Sequence, residues 1–290
     1  MYIRSSVQEI LHVACKSPTK NTCCTSVRHS SIVVRMEDLK IGSAEILDRM
    51  ARLVGEEAVS AFERTRVFVF GLGGVGSWCA EALTRSGIGH LVLVDDDAVC
   101  ASNINRQIEA TINTIGMYKT DALSDRIRSI NQTCIVTTIR ATYSAKTISL
   151  FDIGPGDYVV DAIDSIQSKI DLAEQCASAG AVLFSSMGTA LKLDPTKLRV
   201  ADIWKTEGCP LARLVRSGLR KHGFSGSYQT VYSAEQLPRR NSPSSGMPDG
   251  SLRPSKIVNG SAVQVTATAG MILCSLVIND IISKKVRSTT

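Results

Sequence analysis

Residues 67–78 read VFVFGLGGVGSW and predict a buried strand, a glycine turn and the start of a helix. Val67–Phe70 contains only β-branched and aromatic residues, which is typical of a central parallel strand buried on both faces. In the turn, Gly71, Gly73 and Gly76 follow G-x-G-x-x-G spacing. The first glycine permits a tight turn, the second lets backbone approach a phosphate, and the third lets the helix pack on the strand. Because the helix directs its free N–H groups at the turn, the segment predicts an anion-binding loop.

A second apolar strand, Leu91–Val94, ends at Asp95. This acid lies about 20 residues beyond the glycines, where a carboxylate usually binds a ribose hydroxyl. The glycines and the acid together predict a nucleotide site and leave its type open. A nicotinamide dehydrogenase and a non-catalytic nucleotide-binding module are both compatible with them.

The residues that follow the second strand favour a triphosphate. Residues 102–107 read SNINRQ, and Lys119 comes shortly after them. Hydride transfer needs no cluster of cations, whereas attack at the α-phosphorus of ATP develops charge on pyrophosphate that Arg106 and Lys119 would stabilise. Asp161 and Asp164 follow another apolar run, at the sheet edge where a carboxylate can bind magnesium. We therefore expect ATP and Mg²⁺ as cofactors.

The alternation of strand and helix patterns along the chain predicts an α/β fold. We expect a Rossmann-like, doubly wound, mostly parallel sheet with helices on both faces and a small C-terminal extension packing on it. Residues 36–62 predict one or two leading helices, 122–130 an amphipathic helix and 135–139 a strand. One domain is predicted over 36–290, with a flexible loop at 225–256 that contains half of the prolines.

Residues 1–35 are predicted to be a disordered or targeting leader. They contain five cations and one acid and are rich in Ser, Thr and Cys, as organelle transit segments are. Cytoplasm and mitochondrion are the two locations that fit this composition. Since the leader holds +4 of the net charge of +6, the remaining charge says little about nucleic acid.

A second segment invites a membrane interpretation. Residues 257–279 contain no charged side chain, but polar residues dilute the apolar run. The continuous apolar part, 269–278, is too short to cross about 30 Å of hydrocarbon. We therefore predict a core helix there, and an integral membrane segment or membrane association is not favoured.

The nine cysteines include no C-x-x-C pair, so a zinc tetrad is not expected. Cys209, in the sequence EGCP, precedes a predicted helix whose N-terminus would lower the pKa of a thiol. Two interpretations stay open for it, an ordinary loop thiol and a nucleophile that accepts an acyl group.

The combined motifs resemble the adenylyltransferase superfamily of ubiquitin-activating and sulfur-carrier-activating enzymes. The resemblance spans roughly residues 46–285 and rests on GLGGVG at 71–76, DDDAVCASNINRQ at 95–107, GMYK at 116–119 and VDAIDS at 160–165. Within the superfamily, TRSGIG at 84–89, LDPT at 193–196 and VTATAG at 265–270 resemble the tRNA threonylcarbamoyladenosine dehydratases.

This resemblance implies an activity and a set of site residues. The implied enzyme is a homodimer that uses ATP to adenylate the carboxylate of a modified tRNA base next to the anticodon, and then cyclises it with loss of water. The implied catalytic residues are Arg106, Lys119, Asp164 and Arg52, of which Asp164 is linked to the metal and Arg52 reaches the partner subunit's nucleotide. The implied nucleotide-binding residues are Gly71, Gly73, Gly74, Gly76, Asp95, Asp97, Asn103, Arg106, Gln107, Lys119 and Asp164.

The alternative within the superfamily is an enzyme that activates the carboxyl terminus of a ubiquitin-like or sulfur-carrier protein, with Cys209 as the acyl acceptor. A sulfur or electron donor protein is a further candidate partner of the chain. For tRNA itself, the basic stretch 197–222 offers Arg213, Arg216, Arg220 and Lys221. This group suits a phosphate backbone, or it is an ordinary solvated surface.

Overall fold

A computed structural model of the chain describes residues 42–238 and 259–289. The predicted leader and the predicted flexible loop from 239 onward lie outside the described residues. The single-domain boundary at 36 therefore stays a prediction. The loop prediction is wrong for Gln229–Tyr232, which form a strand with three buried residues.

The described residues form a seven-stranded sheet whose strands are β1 Arg66–Phe70, β2 His90–Val94, β3 Ile135–Ile139, β4 Tyr158–Asp161, β5 Val182–Ser186, β6 Arg199–Asp202 and β7 Gln229–Tyr232. They lie in the order β3-β2-β1-β4-β5-β7-β6. All neighbours are parallel except β6, which pairs antiparallel with β7. The chain runs outward from β1 to β3 on one side and from β4 on the other. The prediction of a doubly wound, mostly parallel sheet is confirmed, with its switch point between β1 and β4.

Seven α-helices accompany the described strands. They are α1 Ser43–Val54, α2 Glu56–Arg64, α3 Gly76–Arg85, α4 Lys119–Ile130, α5 Ile166–Ala179, α6 Pro210–Lys221 and α7 Val263–Thr289. Short 3-10 turns lie at Ala101–Asn103, Ile112–Thr114, Ile148–Leu150, Pro195–Lys197 and Ile203–Lys205. The leading segment contains two helices rather than one because Gly55, at φ 87°, interrupts it.

Two hydrophobic cores cover the two faces of the sheet, because alternate residues of β1 point in opposite directions. Val67 and Val69 face the core that includes side chains of α2, α3, α4 and α7. Phe68 and Phe70 face the core that includes side chains of α5 and α6. The C-terminal segment, expected to be a small extension, is a helix of 27 residues in the first of these cores.

Among the described residues, α7 is the one helix long and apolar enough to cross a membrane by length and composition, over Val263–Val286. The expectation that the apolar part, 269–278, is too short to cross a membrane is therefore wrong, because the helix extends beyond it at both ends and remains apolar enough. Half of the most apolar stretch of the helix is nevertheless buried in the fold. Four of its residues, Val265, Ala269, Leu273 and Val277, are fully buried. The prediction of a core helix is confirmed.

Candidate nucleotide-binding site

A cleft of about 420 Å³ opens at the carboxyl ends of β1, β2, β3 and β4, at the switch point of the sheet. Its lining includes most of the predicted site residues, namely Gly71, Gly73, Gly74, Asp95, Asp97, Asn103, Arg106, Gln107, Lys119 and Asp164. Residues that are 93 positions apart in the chain, from Gly71 to Asp164, thus border one cavity. Gly76, at the start of α3, is behind the loop and does not line the cleft.

The glycines of the loop have distinct steric roles. Gly71 has φ 84°, and a Cβ there would lie 2.7 Å from the carbonyl oxygen of Ala162. A Cβ on Gly76 would lie 1.9 Å from the carbonyl oxygen of Gly71, so only glycine lets α3 begin directly at the turn. A Cβ on Gly73 would meet only the Gln107 side chain, at 3.9 Å. The backbone at Gly73 therefore faces open space, as a phosphate cradle at a helix N-terminus must.

Asp95 is held against this loop by two backbone donors. Leu72 N–H donates to Asp95 Oδ2 at 2.7 Å, and Asp97 N–H donates to Oδ1 at 2.9 Å. Burial raises the pKa of Asp95, and the nearby Lys119 ammonium opposes that effect. The carboxylate is thus fixed between the glycine turn and the end of β2, which is the place expected for a ribose ligand.

Lys119 begins α4, and only 5% of the residue is exposed. Its Nζ lies 2.6 Å from Asp97 Oδ2 and 3.7 Å from Asp95 Oδ1. Two carboxylates therefore hold the ammonium at the cleft wall, where it can also form a charge-assisted hydrogen bond with a phosphate group.

Arg106 is positioned by its neighbours in the 102–107 loop and by α3. Its Nη1 donates to Ser102 O and to Asn105 Oδ1, both at 2.8 Å. Trp78 Nε1 donates to the Arg106 carbonyl at 3.0 Å, which pins the backbone. Asn103 Oδ1 accepts from Cys100 N–H at 2.9 Å and so closes the turn before Arg106.

The two acids after β4 have different surroundings. Asp161 is buried, and its Oδ2 lies 2.8 Å from Nζ of the buried Lys169 and accepts from Ser185 Oγ at 2.6 Å. It is therefore part of an internal ion pair and does not line the cleft. Asp164 is exposed and lines the cleft.

Arg52 is not brought to the cleft of its own chain. It is exposed on α1 and pairs with Asp48, with Nε 3.0 Å from Oδ2. Helix α1 packs beside Gly87, where a Cβ would lie 2.8 Å from Leu47 Cδ1. Gly87 follows the carboxyl end of α3, about 15 Å from the end that meets the cleft. Any role of Arg52 at a nucleotide would therefore have to be played in another copy of the chain.

The predicted tRNA group lies on α6, outside the cleft lining. Arg216 Nη1 donates to Thr206 Oγ1, and the Arg220 guanidinium lies 5.4 Å from the centre of the Trp204 ring. Arg213 and Lys221 are exposed.

The apolar residues of α6 predict one buried helix face made of Leu211, Leu214, Val215 and Leu219, and the structure corrects one of them. Val215 and Leu219 are buried, but Leu214 is 46% exposed. Ala212, one turn before Val215 and two turns before Leu219, is buried on that face instead, because residues three and four apart share a helix side.

Cys209 is the residue before α6, and only 5% of it is exposed. Its thiol is thus covered in this conformation.

The structure also shows site neighbours that the sequence patterns did not single out. Asn105 contacts Arg106, Ser261 lines the cleft, and Glu109 is buried behind the loop with no hydrogen-bond partner for either carboxyl oxygen among the described residues. Asn105 stands inside the SNINRQ motif, so its position next to Arg106 was the available signal.

The ThiF family model matches residues 47–288. The chain belongs to the ThiF family. The tRNA threonylcarbamoyladenosine dehydratase of Bacillus subtilis is 39% identical over 233 residues, which make up 79% of this chain and 91% of that protein. The molybdopterin-synthase adenylyltransferase of Escherichia coli is 28% identical over 204 residues, 66% of this chain and 79% of that protein.

Solved structures of ThiF relatives include the Escherichia coli tRNA N6-threonylcarbamoyladenosine dehydratase TcdA in complex with ATP. Its TM-score to this chain is 0.74 at 33% identity, and the match covers 86% of this chain and 99% of that one. The AMP complex of the same enzyme gives the same values. The resemblance inferred from the motifs is confirmed.

Proposed function

We propose that this ThiF protein is an ATP-dependent tRNA threonylcarbamoyladenosine dehydratase. The observation that carries the proposal is the convergence of the phosphate loop, Arg106, Lys119 and Asp164 on one cleft. A dinucleotide would leave the two cations without a clear task, whereas a triphosphate needs them. The names of the relatives specify the substrate, and the ATP and AMP complexes of one of them fit an adenylating reaction.

The proposed reaction has two steps. An oxygen of the threonylcarbamoyl carboxylate bonds to the α-phosphorus of ATP, and the bond to pyrophosphate breaks. Arg106 and Lys119 stabilise the charge that develops on the leaving group, while Asp95 holds the ribose and the N-terminus of α3 faces a phosphate. A nearby substrate nitrogen then bonds to the acyl carbon and loses its proton to solvent, and the bond from that carbon to AMP breaks. The AMP leaves with one of the original carboxylate oxygens, so cleavage of ATP to AMP and pyrophosphate takes up the elements of water that the substrate loses. No side chain is assigned as the base for this second step.

The cleft also fits a magnesium ion. Asp164 lines it, and oxygen atoms of Asp95, Asp96 and Asp97, in the loop after β2, lie within 4.8 Å of one another. Such oxygen ligands suit this hard cation. We assign Asp164 as the residue that would hold it, and the ion would neutralise charge on the phosphate oxygens.

A homodimer is part of the proposal because Arg52 does not line the cleft of its own chain. The test mixes two inactive variants, Arg52→Ala and Arg106→Ala. In a mixed dimer, the protomer with an intact Arg106 receives Arg52 from its partner. With random exchange of subunits, half of the dimers are mixed and each has one complete site, so activity should recover to about a quarter of wild type. If mixing restores nothing, Arg52 does not act across subunits.

The exposed cations Arg213 and Lys221 are proposed to contact the tRNA backbone. The N-terminal turn of α6 approaches the cleft, since Leu211 lies 3.6 Å from the Cβ position of Gly188 and the next residue, Thr189, lines the cleft. The tRNA backbone could therefore run along α6 while the modified base reaches the nucleotide in the cleft. The sulfur or electron donor and the cytoplasmic or mitochondrial location stay predictions.

The competing function is activation of the carboxyl terminus of a small protein through Cys209. The buried thiol does not favour it, since an acyl acceptor must be reached by the adenylate. ATP–pyrophosphate exchange separates the two functions. We expect tRNA carrying threonylcarbamoyladenosine to stimulate exchange and ubiquitin-like proteins to have no effect, with Cys209→Ser as active as wild type. Loss of activity in Cys209→Ser with normal folding would favour the competitor.

The decisive experiment is mass analysis of tRNA nucleosides from cells that lack the protein. We expect the cyclic base to disappear and the open threonylcarbamoyladenosine to accumulate. Wild-type protein should reverse the change, and the Arg106→Ala variant should not. Persistence of the cyclic base in the deleted cells would contradict the proposed function.

A further inference from the structure

Asn105 connects Arg106 to the segment before α7, which also borders the cleft. Its Nδ2 donates to the carbonyl of Ser261 at 3.0 Å, and its Oδ1 accepts from Arg106 Nη1 at 2.8 Å. Ser261 lines the cleft and lies just before α7. One short side chain thus bridges the loop after β2 and the segment that leads into the last helix.

The chemistry of these contacts fixes the orientation of the amide. Its oxygen faces a guanidinium, which only donates, and its NH₂ faces a carbonyl, which only accepts. Rotating the amide by half a turn would place NH₂ against the guanidinium and oxygen against the carbonyl. Both contacts would then be repulsive, so the side chain has a single satisfactory orientation.

These contacts use one corner of the guanidinium and leave its other edge available. Nη1 is engaged by Asn105 and by Ser102 O. Among residues 42–238 and 259–289, no hydrogen-bond partner is found for Nε or Nη2 of Arg106. The Nε–Nη2 edge is one that can bind an oxyanion through two parallel hydrogen bonds.

The arginine stem is confined as well. A Cβ on Gly74 would lie 3.2 Å from Arg106 Cγ and 3.0 Å from Thr266 Oγ1. The stem therefore passes close over the phosphate loop beside α7. With the stem and Nη1 both held, the remaining freedom of the guanidinium is small.

We propose that Asn105 is a positioning residue that directs the Nε–Nη2 edge of Arg106 toward the β- and γ-phosphates of ATP. This inference rests on the proposed function, because it assumes that ATP occupies the cleft. It adds to that function a residue that does not itself touch the nucleotide. Donors that are already ordered before binding have a smaller entropic cost of binding than mobile ones.

The test compares ATP with AMP in equilibrium binding to the full-length protein with Mg²⁺. Asn105→Leu keeps the approximate size of the side chain and removes both hydrogen bonds. We expect it to weaken ATP binding about tenfold and AMP binding less than about twofold, because AMP lacks the phosphates that Arg106 would reach. Asn279→Leu is the matched control, since Asn279 is an exposed asparagine on α7 whose Nδ2 contacts Ser275 Oγ at 3.2 Å. It should change neither affinity.

A double-mutant cycle separates positioning from a general disturbance. In an Arg106→Ala background, Asn105→Leu should alter ATP affinity less than about twofold, because no guanidinium is left to direct. Equal losses for ATP and AMP, unchanged ATP affinity in Asn105→Leu, or a full tenfold effect in the Arg106→Ala background would each overturn the inference. Urea unfolding verifies that each variant is folded. Absence of ATP binding by the wild-type protein would instead refute the proposed function.

Discussion

Replacing Glu109 by glutamine should stabilise the folded protein above neutral pH and change little in acid. Glu109 is 2% exposed, and neither carboxyl oxygen has a hydrogen-bond partner among the described residues. Burial raises its pKa from the ordinary 4.5 to about 7. Its own backbone N–H and the Ser77 hydroxyl, which lie nearby without completing a hydrogen bond, and the cation of Lys119 oppose the shift. The folded chain therefore keeps a proton that the unfolded chain releases.

The sign and size of the effect follow from that difference. Because the folded pKa lies above the unfolded one, the stability associated with the proton is complete below pH 4.5 and is lost as the pH rises through 7. At 1.36 kcal/mol for each unit of pKa difference, the full loss is about 3 kcal/mol. Between pH 5 and pH 8, where most of the titration falls, the loss is about 2.5 kcal/mol. Glutamine cannot ionise, so the Glu109→Gln variant does not undergo this loss of stability.

Urea unfolding at pH 5 and pH 8 measures the prediction for wild type, Glu109→Gln and the control Glu57→Gln. Glu57 is an exposed acid on α2, so its replacement should have the same small effect at both pH values. The difference in unfolding free energy between Glu109→Gln and wild type should grow by about 2.5 kcal/mol from pH 5 to pH 8. A difference that does not change with pH would show that Glu109 is already charged in the folded protein, and the reasoning from its burial would be wrong.

Three other changes test the core, the surface and the turn. Replacing Lys169 by methionine leaves its buried partner carboxylate uncompensated, so urea unfolding should show a loss of about 3–5 kcal/mol. Replacing Arg213 and Lys221 together by glutamine should reduce the slope of log affinity against log salt for tRNA by about 1–2 in filter binding, and an unchanged slope would exclude them as phosphate contacts. Gly76→Ala would place a Cβ 1.9 Å from a carbonyl oxygen and should yield no folded protein by circular dichroism, whereas Gly42→Ala, with nothing within 4 Å, should melt like wild type.

The fold could be predicted because its main signals are local. The apolar run before the glycines and the spacing of the turn specify a strand, a turn and a helix within residues 67–78. The close approach of Gly76 to Gly71 lies inside that segment, and the close approach of Gly71 to Ala162 joins it to the end of the neighbouring strand β4. The same logic placed the cations and acids at the carboxyl ends of strands, which in a parallel sheet meet at one edge.

Features that depend on distant partners could not be read in the same way. Asp161 and Asp164 look alike in the sequence, yet only the position of Lys169 on α5 makes the first an internal ion pair. Glu109 differs from a surface acid only through the helices that bury it. The distance of Arg52 from the cleft of its own chain depends on how α1 packs beside Gly87. Each is a tertiary property that neither periodicity nor spacing reports.

Helix α7 shows why hydropathy alone misjudges its role. Its length and apolar composition would suit a lipid bilayer. However, a Cβ on Gly270 would lie 2.5 Å from the Val75 carbonyl oxygen, so α7 crosses the start of α3 at very short distance. One turn earlier, Thr266 lies against the Cβ position of Gly74 in the phosphate loop. The apolar sequence is therefore required by burial between α3 and the sheet, while Gln264, Ser275 and Asn279 face outward. A helix that left this place for a membrane would remove the support of the loop expected to hold the phosphates, so membrane insertion and nucleotide binding should exclude each other.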